Sequence, residues 1–245
     1  MSPRRTFATS GRVLRQLSHD HRTLALLFIV PLVLMGLLAW IFEDNKLVFN
    51  MIGPPLLGIF PFTVMFLVTS IATLRERSSG TLERLLTMPI GKLDILLGYA
   101  MSFGLLAIVQ AVLASMVSVH VYGLHVAGPE WFLIVIALAD AILGSSLGLF
   151  ASAFARTEFQ AVQFMPAFIL PQVLLGGLVM PVAQLPTILH WLANCLPLTY
   201  AVDALQHISR EATISSRTLR DVGIVAGFAV VAILLGAATL RRQTK

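Results

Sequence analysis

The sequence predicts an all-α, polytopic membrane protein: one domain over residues 1–245 with six spanning helices. Three observations predict it. Hydrophobic residues make up 57% of the 245-residue chain and charged residues only 12%. That is about half the charged share of an ordinary soluble domain, so a fold of this size must turn much of its surface toward lipid. Charge-free apolar runs recur at the length of about 20 residues that a helix needs to cross a bilayer. Lys and Arg collect in a few connecting segments instead of spreading along the chain, the asymmetry that orients membrane helices.

The N-terminal segment comes first. Over residues 11–22, Val13, Leu14 and Leu17 fall on one helical face and Arg12, Arg15, Gln16 and His19 on the other. The pattern suits an amphipathic helix lying in the interface, its cations near anionic headgroups; it equally suits a basic flank that only sets topology. Arg4-Arg5-Thr6-Phe7 has the look of a twin-arginine export signal. Arg12, Arg15 and Arg22 separate that pair from the first apolar run, and the run exceeds the roughly 7–15 residues of a signal-peptide core. The expectation is an anchor, not a cleaved leader.

The expected spans are 24–42, 51–74 with Pro54, Pro55 and Pro61, 95–121, 131–155 interrupted by Asp140, 164–182 and 222–240. Phe159 to Val202 holds no Asp, Glu, Lys or Arg, enough for a seventh span, but Gln184, Pro186, His190, Asn194, Pro197 and Thr199 punctuate its second half. Irregular backbone at membrane depth survives only where protein or a cavity covers it. Residues 183–205 therefore read as short helices that re-enter the outer face without crossing. With six spans, thirteen of the seventeen Lys and Arg lie on one side, which places both termini in the cytoplasm. A seventh span would send Arg241 and Arg242 outside.

Between the second and third spans runs Leu74-Arg75-Glu76-Arg77-Ser78-Ser79-Gly80-Thr81-Leu82-Glu83-Arg84-Leu85-Leu86-Thr87-Met88-Pro89. Gly80 can bend the backbone, Thr81 is a good N-cap, and Glu83 falls in the first turn, where the helix dipole favours a carboxylate. Leu82, Leu85 and Leu86 make one apolar face, and Pro89 ends the element. A two-turn helix of this kind is unstable alone in water. It needs bilayer, neighbouring spans or a second protein to pack against.

The run Arg-Glu-Arg-x-x-Gly-Thr-Leu-Glu-Arg-Leu-Leu-x-x-Pro-Ile closely resembles the cytoplasmic loop of type-2 ABC exporter permeases, the drug-resistance transport branch in particular. A second match runs from Phe164 to Asp203, through Gly176-Gly177, Pro181 and Leu196-Pro197-Leu198-Thr199-Tyr200. With the N-terminal segment and six spans, the resemblance covers nearly the whole chain. It implies a coupling helix around 81–87 that docks on a separate ABC ATPase subunit, with Glu76, Gly80, Thr81, Leu82, Glu83, Arg84 and Leu85 transmitting its movement. It further implies a second permease subunit, identical or related, in a bacterial inner membrane. ATP and Mg would sit on the partner ATPase, with no cofactor on this chain. The residues agree on one point: at the only Gly-Lys pair, Gly91-Lys92, Leu86 stands where a P-loop needs its first glycine.

Within the spans, Asp140 is the one acid, near mid-depth, and an ionisable group there is a functional candidate. It would meet a cationic substrate or carry a proton; the duller reading is a carboxyl bonded to a neighbouring helix. In related permeases the second and fifth spans line the central route, where Met65, Phe66, Phe164, Met165 and Phe168 would offer an apolar wall; lipid-facing positions are as plausible for any one. Gly144-x3-Gly148 and Gly223-x3-Gly227 fit the small-xxx-small pattern of close helix packing. His120, His125, His190 and His207 read as interface residues without carboxylates at ligand spacing, so no metal site is expected. One cysteine, Cys195, excludes an internal disulfide. The net charge of +5 forms no basic stripe, which argues against nucleic acid. No catalytic residue is expected. The competing classes are a membrane-embedded lipid-modifying enzyme, which needs a cluster of acids or His, and an ion-coupled secondary transporter, which needs several buried charges or broken-helix repeats.

Overall fold

A computed structural model describes residues 3–81 and 92–239, and all the regular structure among them is helical. The elements are α1 (Pro3–His19), α2 (His21–Ile41), α3 (Lys46–Ser78), α4 (Lys92–His120), α5 (Glu130–Ser152), α6 (Glu158–Leu175), a 3-10 turn at Val182–Gln184, α7 (Thr187–Asn194), α8 (Pro197–Arg210) and α9 (Ser216–Thr239). The expected helix around 81–87 lies outside the described residues, apart from Thr81.

Five helices, α2, α3, α4, α5 and α9, are long and apolar enough to cross a membrane. The span expected at 164–182 takes a different form. Its helix, α6, starts at Glu158, includes Gln160, Gln163 and Gln172, and stops after 18 residues at Leu175. Gly177 then adopts φ +92°, a left-handed conformation that glycine alone enters freely, and the apolar tail to 182 becomes a turn. By length and composition α6 is not among the crossing helices.

Helix ends follow their caps. Asp20 accepts the Thr23 N–H at 3.1 Å and starts α2, so the helix expected over 11–22 is divided there. Asn45 accepts the Val48 N–H at 3.3 Å and starts α3 five residues before the expected span. The 33 residues of α3 make a rod of about 50 Å against a hydrocarbon core of about 30 Å, and the surplus carries its C-terminal charges clear of the apolar slab.

α3 and α5 form the centre. Their apolar stretches are 61% and 67% buried, against 22% in α2 and 28% in α9, which leaves the latter two as peripheral staves. In α2, Leu27, Pro31 and Met35 point inward at four-residue spacing while Ile29, Val33, Leu37 and Trp40 stay exposed. The α3–α5 seam is a parallel ladder. A methyl on Gly144 would overlap the Phe62 carbonyl, one on Gly148 the Phe66 carbonyl, and one on Gly58 would lie 3.0 Å from the Asp140 carboxyl. Both helices step by four residues, so each bulky rung faces a small one. The Gly144-x3-Gly148 expectation holds. Gly223 and Gly227 meet nothing within 4 Å, which corrects the second packing motif: among the described residues no helix lies against its small face.

α1 also differs from its expectation. Val13 and Leu17 are buried together with Thr6, Thr9 and Ser10, and this face packs on α4, where Gly98 makes room for Thr9. Its apolar side is spent on protein, not lipid. Residues 183–205, expected as short helices, form the 3-10 turn, α7 and α8, extended to Arg210. Thr199 Oγ1 donates to the Ala193 carbonyl at 2.8 Å, Tyr200 OH to Asn194 O at 2.7 Å, and Gln172 Oε1 accepts the Leu198 N–H at 3.3 Å. These bonds fasten α8 to α7 and to α6, and α8 packs on α3 and α5.

Candidate coupling site

Consecutive residues on a helix point about 100° apart. At the end of α3, Arg75, Glu76 and Arg77 therefore reach three different neighbours. Arg75 donates from Nε and Nη2 to the Glu158 carboxylate at 2.8 and 3.0 Å, and from Nη1 to Asp20 Oδ2 at 3.3 Å. Glu76 accepts both terminal nitrogens of Arg12, at 3.0 and 2.8 Å, and Arg12 Nη2 also reaches the Tyr99 hydroxyl at 3.2 Å. Arg77 Nη1 donates to the Ser152 carbonyl, the last of α5, at 2.8 Å. One turn of α3 is thus tied to α1, to the α1–α2 joint, to α4, to the end of α5 and to the start of α6.

These ties differ in strength. The Glu76 side chain is 5% exposed and that of Arg12 33%, so breaking this pair strands a carboxylate away from water. Arg75 and Glu158 are each about half exposed, where an ion pair contributes little on its own. The Arg75 hydrogen bonds hold the Glu158 carboxyl below its ordinary value, and the first position of α6 adds the favourable end of the helix dipole. Asp20 is lowered by the Thr23 hydroxyl and N–H, and less by Arg75. Beyond this turn Ser79 and Thr81 share a hydroxyl hydrogen bond of 2.9 Å, and Gly80 takes φ +71°, the bend the sequence suggests.

Of the residues expected to transmit movement, Glu76, Gly80 and Thr81 are therefore placed together at the tip of α3. Leu82, Glu83, Arg84 and Leu85 lie outside the described residues. The candidate path residues do not form one group. Phe66 meets Phe168 with the rings tilted and their centroids 5.8 Å apart, and Met165 packs in the same cluster. Met65 is on another face of α3, with Val13 and Tyr99. Phe164 sits with Leu74 and Ala155. Asp140 is fully buried at the α3–α5–α8 junction, against Gly58 and with no hydrogen-bond partner for either oxygen.

The structure corrects the reading of His207. Its Nδ1 lies 3.0 Å from Glu211 and its Nε2 3.7 Å from Asp203, carboxylates one helical turn to either side. His120 lies 3.5 Å from Glu130. Among the described residues no cluster has the geometry of a metal site. Asp140 is also not the one acid sealed in a helix, since Asp221, in the first turns of α9, is fully buried. Sequence reasoning counted Arg12, Arg75 and Arg77 as topology charges and passed over Asp20, Tyr99 and Glu158. The available signal was a run of three alternating charges directly after an apolar helix, which cannot all face one way.

Comparison with known proteins adds the following. The ABC-2 type transporter family matches residues 4–209. The chain is similar to the probable multidrug ABC transporter permease YbhR of Escherichia coli, 30% identical over 63% of this chain and 42% of that protein. It is similar to the linearmycin resistance permease protein LnrN of Bacillus subtilis, 24% identical over 74% of this chain and 48% of LnrN. It also resembles ABC transporter G family member 20 of Dictyostelium discoideum, at 25% identity over 68% of this chain and 23% of that protein. The chain spans less than half the length of these curated relatives.

Proposed function

The chain belongs to the ABC-2 type transporter family, and on that premise we propose that it is the membrane permease subunit of an ATP-driven exporter. It carries an amphipathic drug-like, antibiotic or lipid-like compound out of a bacterial cell, working beside a second permease subunit. The multidrug and linearmycin-resistance names of its relatives support that cargo class. Although α6 alone is shorter and more polar than the five crossing helices, α6 together with the apolar residues to 182 makes the sixth crossing, and both termini are cytoplasmic. ATP and Mg sit on a separate ATPase chain.

The observation that carries the reading is the charged turn at Arg75-Glu76-Arg77, which joins the tip of α3 to α1, α4, α5 and α6 immediately before the 82–91 segment. ATP draws two ATPases together and pushes on that segment. Gly80 and Thr81 hand the push to α3, and the ion pairs distribute it to the helices around it. ATP shifts the bundle from inward- to outward-open only through its differential affinity for the two states. Asp140, Met65, Phe66, Phe164, Met165 and Phe168 border the cargo route that this change opens.

Co-purification tests the proposal. An ATPase should copurify with the wild-type chain and be lost when Gly80-Thr81-Leu82-Glu83 is scrambled; cargo movement by the purified chain alone in proteoliposomes would refute it. Asp140→Asn should alter export of cationic more than neutral compounds, whereas equal effects would reduce Asp140 to a packing residue.

A further inference from the structure

A cavity of about 500 Å³ opens between the outer end of α3 and the last turns of α8, within the size range of small-molecule sites. Its two walls differ in kind. Met51, Ile52 and Pro55 of α3 form an apolar side, and Leu178 and Val179 of the loop after α6 extend it. The opposite side is polar and belongs to α8 and the residue after it: Asp203, Gln206, His207, Arg210 and Glu211.

On the polar side all but one group is already engaged. Asp203 accepts Nε and Nη2 of Arg217 at 2.9 and 3.2 Å. Glu211 faces the His207 ring at 3.0 Å, and Gln206 donates to the Gly177 carbonyl at 3.3 Å. The α8 carbonyls that would compete for a cation are capped, Ile208 O by the Gly128 N–H at 3.0 Å, Ser209 O by Ala127 at 3.0 Å and His207 O by Glu211 at 2.9 Å. Arg210 is exposed and has no side-chain partner among the described residues. What remains without a protein partner is a five-donor fork facing an apolar wall.

We propose that this cavity binds an amphiphile with an acidic head, its carboxylate or phosphate on Arg210 and its apolar body against Met51, Ile52 and Pro55. The inference rests on the exporter reading only for the site's role, a station near the outer exit; occupancy itself needs no ATPase. Hence a failure to bind leaves the exporter reading intact, and a failure of ATPase co-purification leaves the binding result standing.

The test uses the full chain in phosphatidylcholine nanodiscs with dansylaminoundecanoic acid as a fluorescent probe. Saturable binding is expected above partitioning into empty discs. Arg210→Gln should raise Kd about tenfold or more, the scale of a lost charged hydrogen bond, and Arg210→Lys should recover part of it. The probe's methyl ester should bind the wild type as weakly as the acid binds Arg210→Gln. Ile52→Trp, which fills the apolar side without touching a charge, should weaken the acid as well. The proposal is overturned if Arg210→Gln binds the acid unchanged, if the ester binds as tightly as the acid, or if no saturable component exists.

Discussion

Removing Arg12 and removing Glu76 should not cost the same, although they are two halves of one ion pair. Arg12→Ala leaves the Glu76 carboxylate, 5% exposed, without its cation and deprives Tyr99 of its 3.2 Å partner. Breaking a buried pair in this sense costs roughly 3–5 kcal/mol. Because Arg12 is a third exposed, about 2–3 kcal/mol is the better expectation. Glu76→Ala instead frees an arginine that can turn to water and to Gln16, already 3.4 Å away, at a cost of about 1 kcal/mol. The double variant has no stranded charge and should sit near the Glu76 single, which gives a coupling of about 2 kcal/mol. The assay is a double-mutant cycle read by equilibrium unfolding in mixed detergent–SDS micelles. A coupling under about 0.5 kcal/mol, or an Arg12→Ala variant no less stable than Glu76→Ala, would refute the claim that this pair fastens α1 to the tip of α3.

Three further outcomes are expected. Gly148→Ala should destabilise by about 1–3 kcal/mol, since its methyl meets the Phe66 backbone, while Gly227→Ala, with open space around it, should be neutral or slightly stabilising in the same unfolding assay. Glu158 and Asp20 are held below their ordinary values of 4.5 and 3.8, so their contribution is full above those values and is lost as pH falls through the lower, folded ones. The stability gap between wild type and Glu158→Gln should therefore be flat from about pH 6 to 8 and close in the acid range below about 4.5; a gap that widens on acidification would contradict the Arg75 contact. Cys195 is exposed, and a membrane-impermeant maleimide should label it in intact cells. Labelling only after lysis would invert the topology.

The spans were legible where a single strong pattern governed them. Long charge-free runs located α2, α3, α4, α5 and α9, because burial of apolar surface overrides even the three prolines inside α3. The ends were less legible: Asp20 and Asn45 set helix starts by capping bonds whose partners are three residues away, a weaker signal than hydropathy. α6 misled because its apolar tail hides the left-handed Gly177, where the chain turns back. The charged turn of α3 was half visible. Glu76 carried a motif, but Arg12, Asp20, Tyr99 and Glu158 come from up to 83 residues away, and pairing at that separation is a property of the packed bundle. The Gly223-x3-Gly227 spacing shows the converse, a local pattern with no neighbour among the described residues to answer it.

The four-residue steps at Gly58, Phe62 and Phe66 against Asp140, Gly144 and Gly148 act as ratchet teeth. The tooth that sets the register is Asp140: axial slip of α3 by one turn would replace Gly58 with Phe62 at the rung where the Asp140 carboxyl needs a residue without a side chain. The pair, with α9 packed along α5, tilts or swivels as a single strut, and opening of the molecule falls to the more lightly attached α2 and α6 while the strut keeps its length and register.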